Sequence, residues 1–195
     1  MPLIPKSIQA SVFIKSGLDL KNNDAIGRLY GELHAAFLTV SEVPGVGIAY
    51  RNSKEMIVIQ KGRVDVSWRK VEAADDLLPR VEELASQILA AFGVCSEPDG
   101  IGFDAEYTLS LGHKPNMSRL VSIKGDSPVI IPSFLGGTVK REGRTVTVGI
   151  DGTGADYRLN LMQVTKWPDR TELDPTLSKD AEYLGDYISK LDEVE

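Results

Sequence analysis

Apolar and polar positions alternate most cleanly over residues 55–70. Ile57, Ile59, Val64, Val66 and Trp68 fall on one side, and Met56, Val58, Gln60, Arg63, Asp65, Ser67 and Arg69 on the other. A two-residue turn at Lys61-Gly62 sets Ile59 against Val64 and Ile57 against Val66, with Gly62 expected to supply the positive φ such a turn demands. The pattern predicts an antiparallel hairpin with one buried face and one mostly wetted face. A strand over 7–15 shows the same period, with Ile8, Ala10, Val12 and Ile14 inward and only Phe13 breaking the rule.

Helical spacing takes over after Gly17. Ile26, Leu29, Tyr30, Leu33 and Phe37 form one stripe, Asn22 or Asn23 is placed to cap it, and the helix is expected to end near Leu38 or Thr39. Pro44-Gly45 marks a turn, and a strand over 46–51 joins the hairpin in a three-stranded meander. A second helix carries Leu77, Val81, Leu84, Ala85, Ile88 and Phe92 on one side, with Asp75 or Asp76 as cap, Pro79 in the first turn and Gly93 as stop. Gly27 and Gly31 read as a close-packing groove on the first helix. Residues 96–100, rich in proline, glycine and charge, form the clearest linker.

Beyond it the pattern predicts a strand over 101–111, a short helix over 116–123 and a strand over 129–131. A second hairpin follows, with arms over 138–140 and 144–150, then a strand over 157–165. A last helix follows Ser178, with Ala181, Leu184, Ile188 and Leu191 inward and Tyr183 and Tyr187 beside them. The expected fold is α+β, an antiparallel sheet with helices packed on one face. Two halves, 1–95 and 96–195, each read as β-α-β-β-β-α and pack closely as one globular unit. Residues 60–66 can be laid on 141–147; true duplication and ordinary hairpin chemistry both explain that match.

Length and composition, 195 residues with 42% hydrophobic, suit an ordinary core. The net charge of -6 opposes nucleic acid as a partner, because phosphate binding depends on lysines and arginines displacing counterions. The single cysteine, Cys95, makes no internal disulfide and reads as a boundary packing residue. With neither a secretion signal at the N-terminus nor a long apolar run, a soluble cytoplasmic protein without membrane association is expected.

No motif points to catalysis. The histidines are His34 and His113, too few for a histidine-rich metal site, and no metal or cofactor is expected. Asp151-Gly152-Thr153-Gly154-Ala155-Asp156 lacks the Asp-Thr-Gly order of an aspartic-protease turn and the ligand spacing of a calcium loop, so it reads as a hairpin connection. If a site exists, Glu106, His113, Asp151 and Asp156 are the residues that would converge on it. Cations gather at the two hairpin tips, Lys61 and Arg63 on one and Lys140, Arg141 and Arg144 on the other. They read either as solvated tips or as a matched grip on an acidic partner. The acidic run Asp180, Glu182, Asp186, Asp192, Glu193 and Glu195 reads as a solvated helix face.

The run Ile57-Val58-Ile59-Gln60, the turn Lys61-Gly62-Arg63, the strand from Val64 to Trp68 and the helix from Leu77 resemble a sporadically distributed, uncharacterised prokaryotic α+β family. In that family a strand, a polar turn and a strand ending in tryptophan precede a long helix. The resemblance covers under about one quarter of the chain, implies a prokaryotic or phage origin, and implies no activity. A non-catalytic protein-binding module is favoured, in the manner of an acidic inhibitor or immunity-type protein whose surface recognises a basic target. An enzyme using the residues above and a structural homo-oligomer, in the simplest case a homodimer, are the alternatives.

Overall fold

The structure, a computed structural model, describes residues 3–69, 77–117, 134–141, 144–167 and 173–192. In chain order the elements are β1 (Ser7–Phe13), α1 (Asn23–Leu33), β2 (Thr39–Val43), β3 (Gly47–Arg51), β4 (Glu55–Gln60), β5 (Arg63–Trp68) and α2 (Leu77–Ala91). Then come β6 (Gly100–Leu109), β7 (Phe134–Arg141), β8 (Arg144–Asp151), β9 (Tyr157–Lys166) and α3 (Ser178–Asp192). The strands form one antiparallel sheet in the order β2-β3-β4-β5-β1-β6-β9-β8-β7. The fold is α+β, as the hydrophobic pattern predicts.

The first hairpin has the expected register. Ile57 pairs with Val66 and Ile59 with Val64, and these four side chains and Trp68 are buried. The turn itself differs from expectation. Gly62 does not take a positive φ; instead Ile14 N–H donates to the Gly62 carbonyl at 2.9 Å and Leu18 N–H to the Lys61 carbonyl at 2.6 Å, so the loop after β1 holds the turn in place. A Cβ on Gly62 would come no nearer than 3.7 Å to its surroundings. Gly62→Ala is therefore expected to leave the unfolding free energy, read from urea denaturation, unchanged or to raise it by up to about 1 kcal/mol through the stiffer unfolded chain. A clear loss of stability would show that the turn does need glycine.

Asn22 caps α1 by accepting from Ala25 N–H at 3.1 Å. The helix stops at Leu33, earlier than its stripe predicts. Leu29, Leu33 and Phe37 are buried, whereas Tyr30 is 53% exposed and stacks on His34. The residues after α1 turn into β2, a strand absent from the predicted meander, which thus has four strands. Gly27 and Gly31 face open space rather than a packing groove. Arg28 reaches across to α2 and donates twice to the Ala91 carbonyl, at 3.1 and 2.8 Å, where the carbonyl dipoles of a helix end favour a cation. At that end Val94 N–H bonds Leu89 O, Gly93 N–H bonds Ala90 O, and Gly93 has φ +68, the Schellman stop that the glycine signalled. The predicted caps Asp75 and Asp76 lie outside the described residues.

Buried Ile8, Ala10 and Val12 of β1, Phe103, Ala105 and Tyr107 of β6, and Leu159 and Leu161 of β9 share one core with Leu29, Val81, Leu84, Ala181 and Ile188 of the helices. Burial pushes the Tyr107 phenol well above its ordinary pKa. Its hydroxyl donates to the Thr176 carbonyl, tying the segment before α3 to the sheet. Asp180, expected on a solvated face, is 2% exposed in the first turn of α3, where a carboxylate is favoured by the helix dipole. Cys95, expected at a packing boundary, is exposed.

The strand order reads the same outward from the central β1/β6 pair. There β5, β4 and β3 stand on one side and β9, β8 and β7 on the other, with β2 added at the first edge. By position in the sheet the Lys61-Gly62 turn corresponds to the loop between β8 and β9. The linker is not a loose hinge. Asp99 N–H bonds Phe13 O, its carboxylate accepts from Lys15 N–H at 2.6 Å, and its carbonyl accepts from Trp167 N–H. The predicted strand over 129–131 and most of the helix over 116–123 fall outside the described residues.

Candidate interaction face

The face of the sheet opposite the core is where polar and apolar chemistry combine. One row of paired residues crosses all nine strands: Thr39, Arg51, Met56, Ser67, Gln9, Asp104, Met162, Thr147 and Thr138. Beside it run Val58, Asp65, Ser11, Gly102 and Val164. Met56 is 36%, Met162 41%, Val164 52% and Phe134 58% exposed. Glycines shape this floor. The Phe13 ring lies over Gly100 and Gly102, and the Phe134 ring over Gly136 and Gly149.

Two aspartates on this face have opposite surroundings. Asp65 is only 6% exposed. It accepts from Ser11 Oγ at 2.7 Å and Gln60 Nε2 at 2.8 Å, and forms an ion pair with Arg63 Nε at 3.0 Å. The hairpin's outer face is thus not uniformly wetted. Asp104 has no hydrogen bond or ion pair among the described residues. Its side chain is exposed, yet the packing around the strand, and then the neighbouring Glu106, hold its carboxyl above the ordinary 3.8.

A carboxyl whose folded pKa is raised leaves the native state holding more protons than the unfolded chain between the ordinary and the raised value. Stability therefore falls as pH rises through that window and stays lower above it. Asp104→Asn is expected to raise the urea midpoint at neutral pH, with the difference vanishing at pH below the ordinary value. Equal midpoints at both pH values would mean that Asp104 is fully hydrated.

The structure places the sequence candidates as follows. Lys61 lies exposed at the β4–β5 turn, its aliphatic chain 3.6 Å from where a Cβ on Gly17 would stand. Arg63 is held by Asp65. Lys140 is exposed on β7, and Arg141 and Arg144 pair with each other at the ends of β7 and β8. Both tips sit at the Lys166 end of the sheet, since Arg63 aligns through Phe13 and Gly100 with Lys166. Four strand spacings separate them, roughly 19 Å. The strand order thus keeps the two tips apart.

Glu106 lies on the open face, ion-paired with Lys6 at 3.2 Å. Asp151 ends β8 opposite Arg158 and accepts from Thr153 N–H at 2.9 Å and Oγ1 at 2.7 Å, bonds that hold its carboxyl below the ordinary range. The loop carrying exposed His113 meets this connection. Asn116 N–H donates to Tyr157 Oη at 2.9 Å, and Met117 and Pro115 crowd Gly152. Asp156 is part-buried at the end of the same connection. His113, Asp151 and Asp156 therefore share one end of the fold, with Glu106 two residues before Thr108, the partner of Arg158, on β6. No group of three or more His, Cys, Asp or Glu among the described residues is arranged to hold a metal.

Sequence reasoning missed Asp104, Met162, Val164 and Phe134. The signal was present in β9, where Met162 and Val164 occupy the side that Arg158, Asn160 and Lys166 mark as outward. No family of known proteins matches the chain, and no curated protein does. Among solved structures it is similar to one described as Methanococcus jannaschii TBP, with 15% identity over the full length of both chains and a TM-score of 0.46. A likeness of that degree carries no argument about what this chain does. No helix among the described residues is long and apolar enough to cross a membrane.

Proposed function

We propose that the chain is a non-catalytic protein-binding module that receives a basic segment of a partner on the open face of its sheet, as an acidic inhibitor does. The observation that carries this reading is Asp104. It is an exposed carboxylate with no hydrogen bond or ion pair among the described residues, sixth in a nine-strand row, with Glu106 two residues along β6 and exposed Met162 and Val164 on the neighbouring strand. Two carboxylates close together on one strand face repel each other, and a lysine or arginine from a partner relieves that repulsion. Exposed methionine beside the carboxylate suits an interface, whose core is enriched in Met and depleted of charge, so that a carboxylate there calls for a cationic partner. Anionic phosphates meet the wrong sign there, which accords with the net charge of -6.

The test is affinity capture from a native lysate with three baits: wild type, Asp104→Lys on the open face, and Tyr187→Lys on the exposed side of α3. A basic protein retained by wild type and Tyr187→Lys, lost with Asp104→Lys and weakened by salt is the expected result. Retention on Asp104→Lys, or recovery of nucleic acid in place of protein, would overturn the reading.

A further inference from the structure

Strand β2 stands apart from the other eight. Thr39, Val40, Ser41 and Glu42 are exposed and Val43 is part-buried, so neither face of the strand is covered. One edge pairs with β3, and the other has no strand partner among the described residues. Unpaired edges are ordinarily blunted by charged residues, lysine above all, by proline or by a bulge. The opposite edge, β7, carries Gly136, Gly137 and Lys140. Between Thr39 and Val43 the one such residue is Glu42.

Apolar surface gathers at both ends of the same strand. Leu38 is 90% exposed just before it, Val46 is 44% exposed in the turn just after it, and Val40 within it is 39% exposed. On the helix side, a cavity of about 1050 Å³ between β2 and the start of α1 is lined by Ile26, Val40, Glu42, Lys21, Asp19 and Lys61 among others.

We propose that β2 pairs antiparallel with β2 of a second copy of this chain, about a twofold axis at Ser41. That register pairs all five residues, setting Thr39 opposite the partner's Val43 and Val40 opposite the partner's Glu42. One residue beyond the ladder, Leu38 comes against the partner's Pro44, beside the turn that carries Val46, at both ends. That contact is made twice, as an isologous interface requires.

Charge argues for a second copy over a foreign strand. Two chains of net charge -6 repel across most of their surfaces. Beside β2, however, Lys21 and Lys61 line the same cavity as Asp19 and Glu42. A patch with two charges of each sign is neutral and complements its own copy, whereas a strongly basic or acidic strand meets repulsion from half of it. The two Glu42 side chains fall on a diagonal, about 7 to 8 Å apart rather than directly opposed. Pairing at this edge would join two nine-strand sheets into one, leaving the open faces uncovered.

Sedimentation equilibrium from low to several hundred micromolar tests the inference. Wild type is expected to rise from the chain mass of 21.3 kDa toward twice that value. Leu38→Asp, at a position too exposed to matter for folding, and Ser41→Pro, which removes a ladder donor, are each expected to weaken association about tenfold or more. In a Cys95→Ser background, Ser41→Cys is expected to form a disulfide-linked dimer on mild oxidation, and Thr138→Cys on the far half of the sheet is not. Wild type remaining at the chain mass throughout would overturn the proposal, as would a dimer equally stable in Leu38→Asp. Failure of Ser41→Cys to cross-link would exclude the Ser41 axis. If Ser41→Pro does not fold, Leu38→Asp decides.

Discussion

Trp68→Ala is expected to lower the unfolding free energy by about 3 to 5 kcal/mol, the range for removing a large buried aromatic side chain. Trp68 ends β5 between Glu55 and Ile8 and is 7% exposed. It belongs to the buried cluster that includes Leu77, Val81 and Leu84 of α2. Truncation removes the transfer free energy of the indole and leaves a cavity that a sheet on one side and a helix on the other cannot collapse to fill. Against a total of about 5 to 15 kcal/mol for an ordinary domain, the loss is a large fraction. Equilibrium urea unfolding measures it, with circular dichroism as the probe and the emission of the second tryptophan, Trp167, as a check. A wild-type midpoint in the variant would mean that the indole faces outward and that the hairpin register is inverted.

That register was legible because it is local. Turn, period and partner all lie within residues 55–68, and a one-residue slip would turn every apolar side chain outward. The second helix was legible for the same reason, its stripe and its glycine stop being neighbours in the chain. Strand β2 was not legible, because a strand exposed on both faces writes no alternation. Its β-branched residues follow a helical stripe through Phe37, which is buried but sits in the turn after α1, where Phe37 N–H still bonds Leu33 O. The open face was illegible for a different reason. Asp65 and Asp104 each occupy the outward slot of an alternating strand, and the local pattern gives them the same reading. Asp65 has local partners in Gln60 and Arg63, and long-range pairing adds to the difference: β1 brings Ser11 beside Asp65, whereas beside Asp104 it sets Gln9. The cationic tips illustrate the same limit. Sequence places arginines at turns, but which end of the sheet a turn occupies is a property of strand order.

Asp65→Ala is expected to cost about 2 to 3 kcal/mol, below the 3 to 5 kcal/mol typical of breaking a fully buried ion pair because Arg63 can rehydrate. The Asp65 side chain is 8% exposed and that of Arg63 43%. Removing the carboxylate takes the acceptor from Ser11 Oγ and from Gln60 Nε2 at once, and part-buried donors without partners account for much of the loss. The same network predicts that Arg63→Ala is not silent, contrary to what a position on a wetted face suggests, although its cost is smaller because Asp65 keeps both hydrogen bonds. A double-mutant cycle separates the terms: the coupling between Asp65→Ala and Arg63→Ala measures the ion pair, and the remainder of the Asp65→Ala loss belongs to Ser11 and Gln60. Asp65→Asn, which keeps the shape and one acceptor, should fall between wild type and Asp65→Ala. Because Ser11 is on β1 and Gln60 on β4, the carboxylate ties three strands together on the face opposite the core. Urea midpoints for the four members of the cycle at neutral pH decide the point, and an Asp65→Ala midpoint equal to wild type would show that water replaces the whole network without loss.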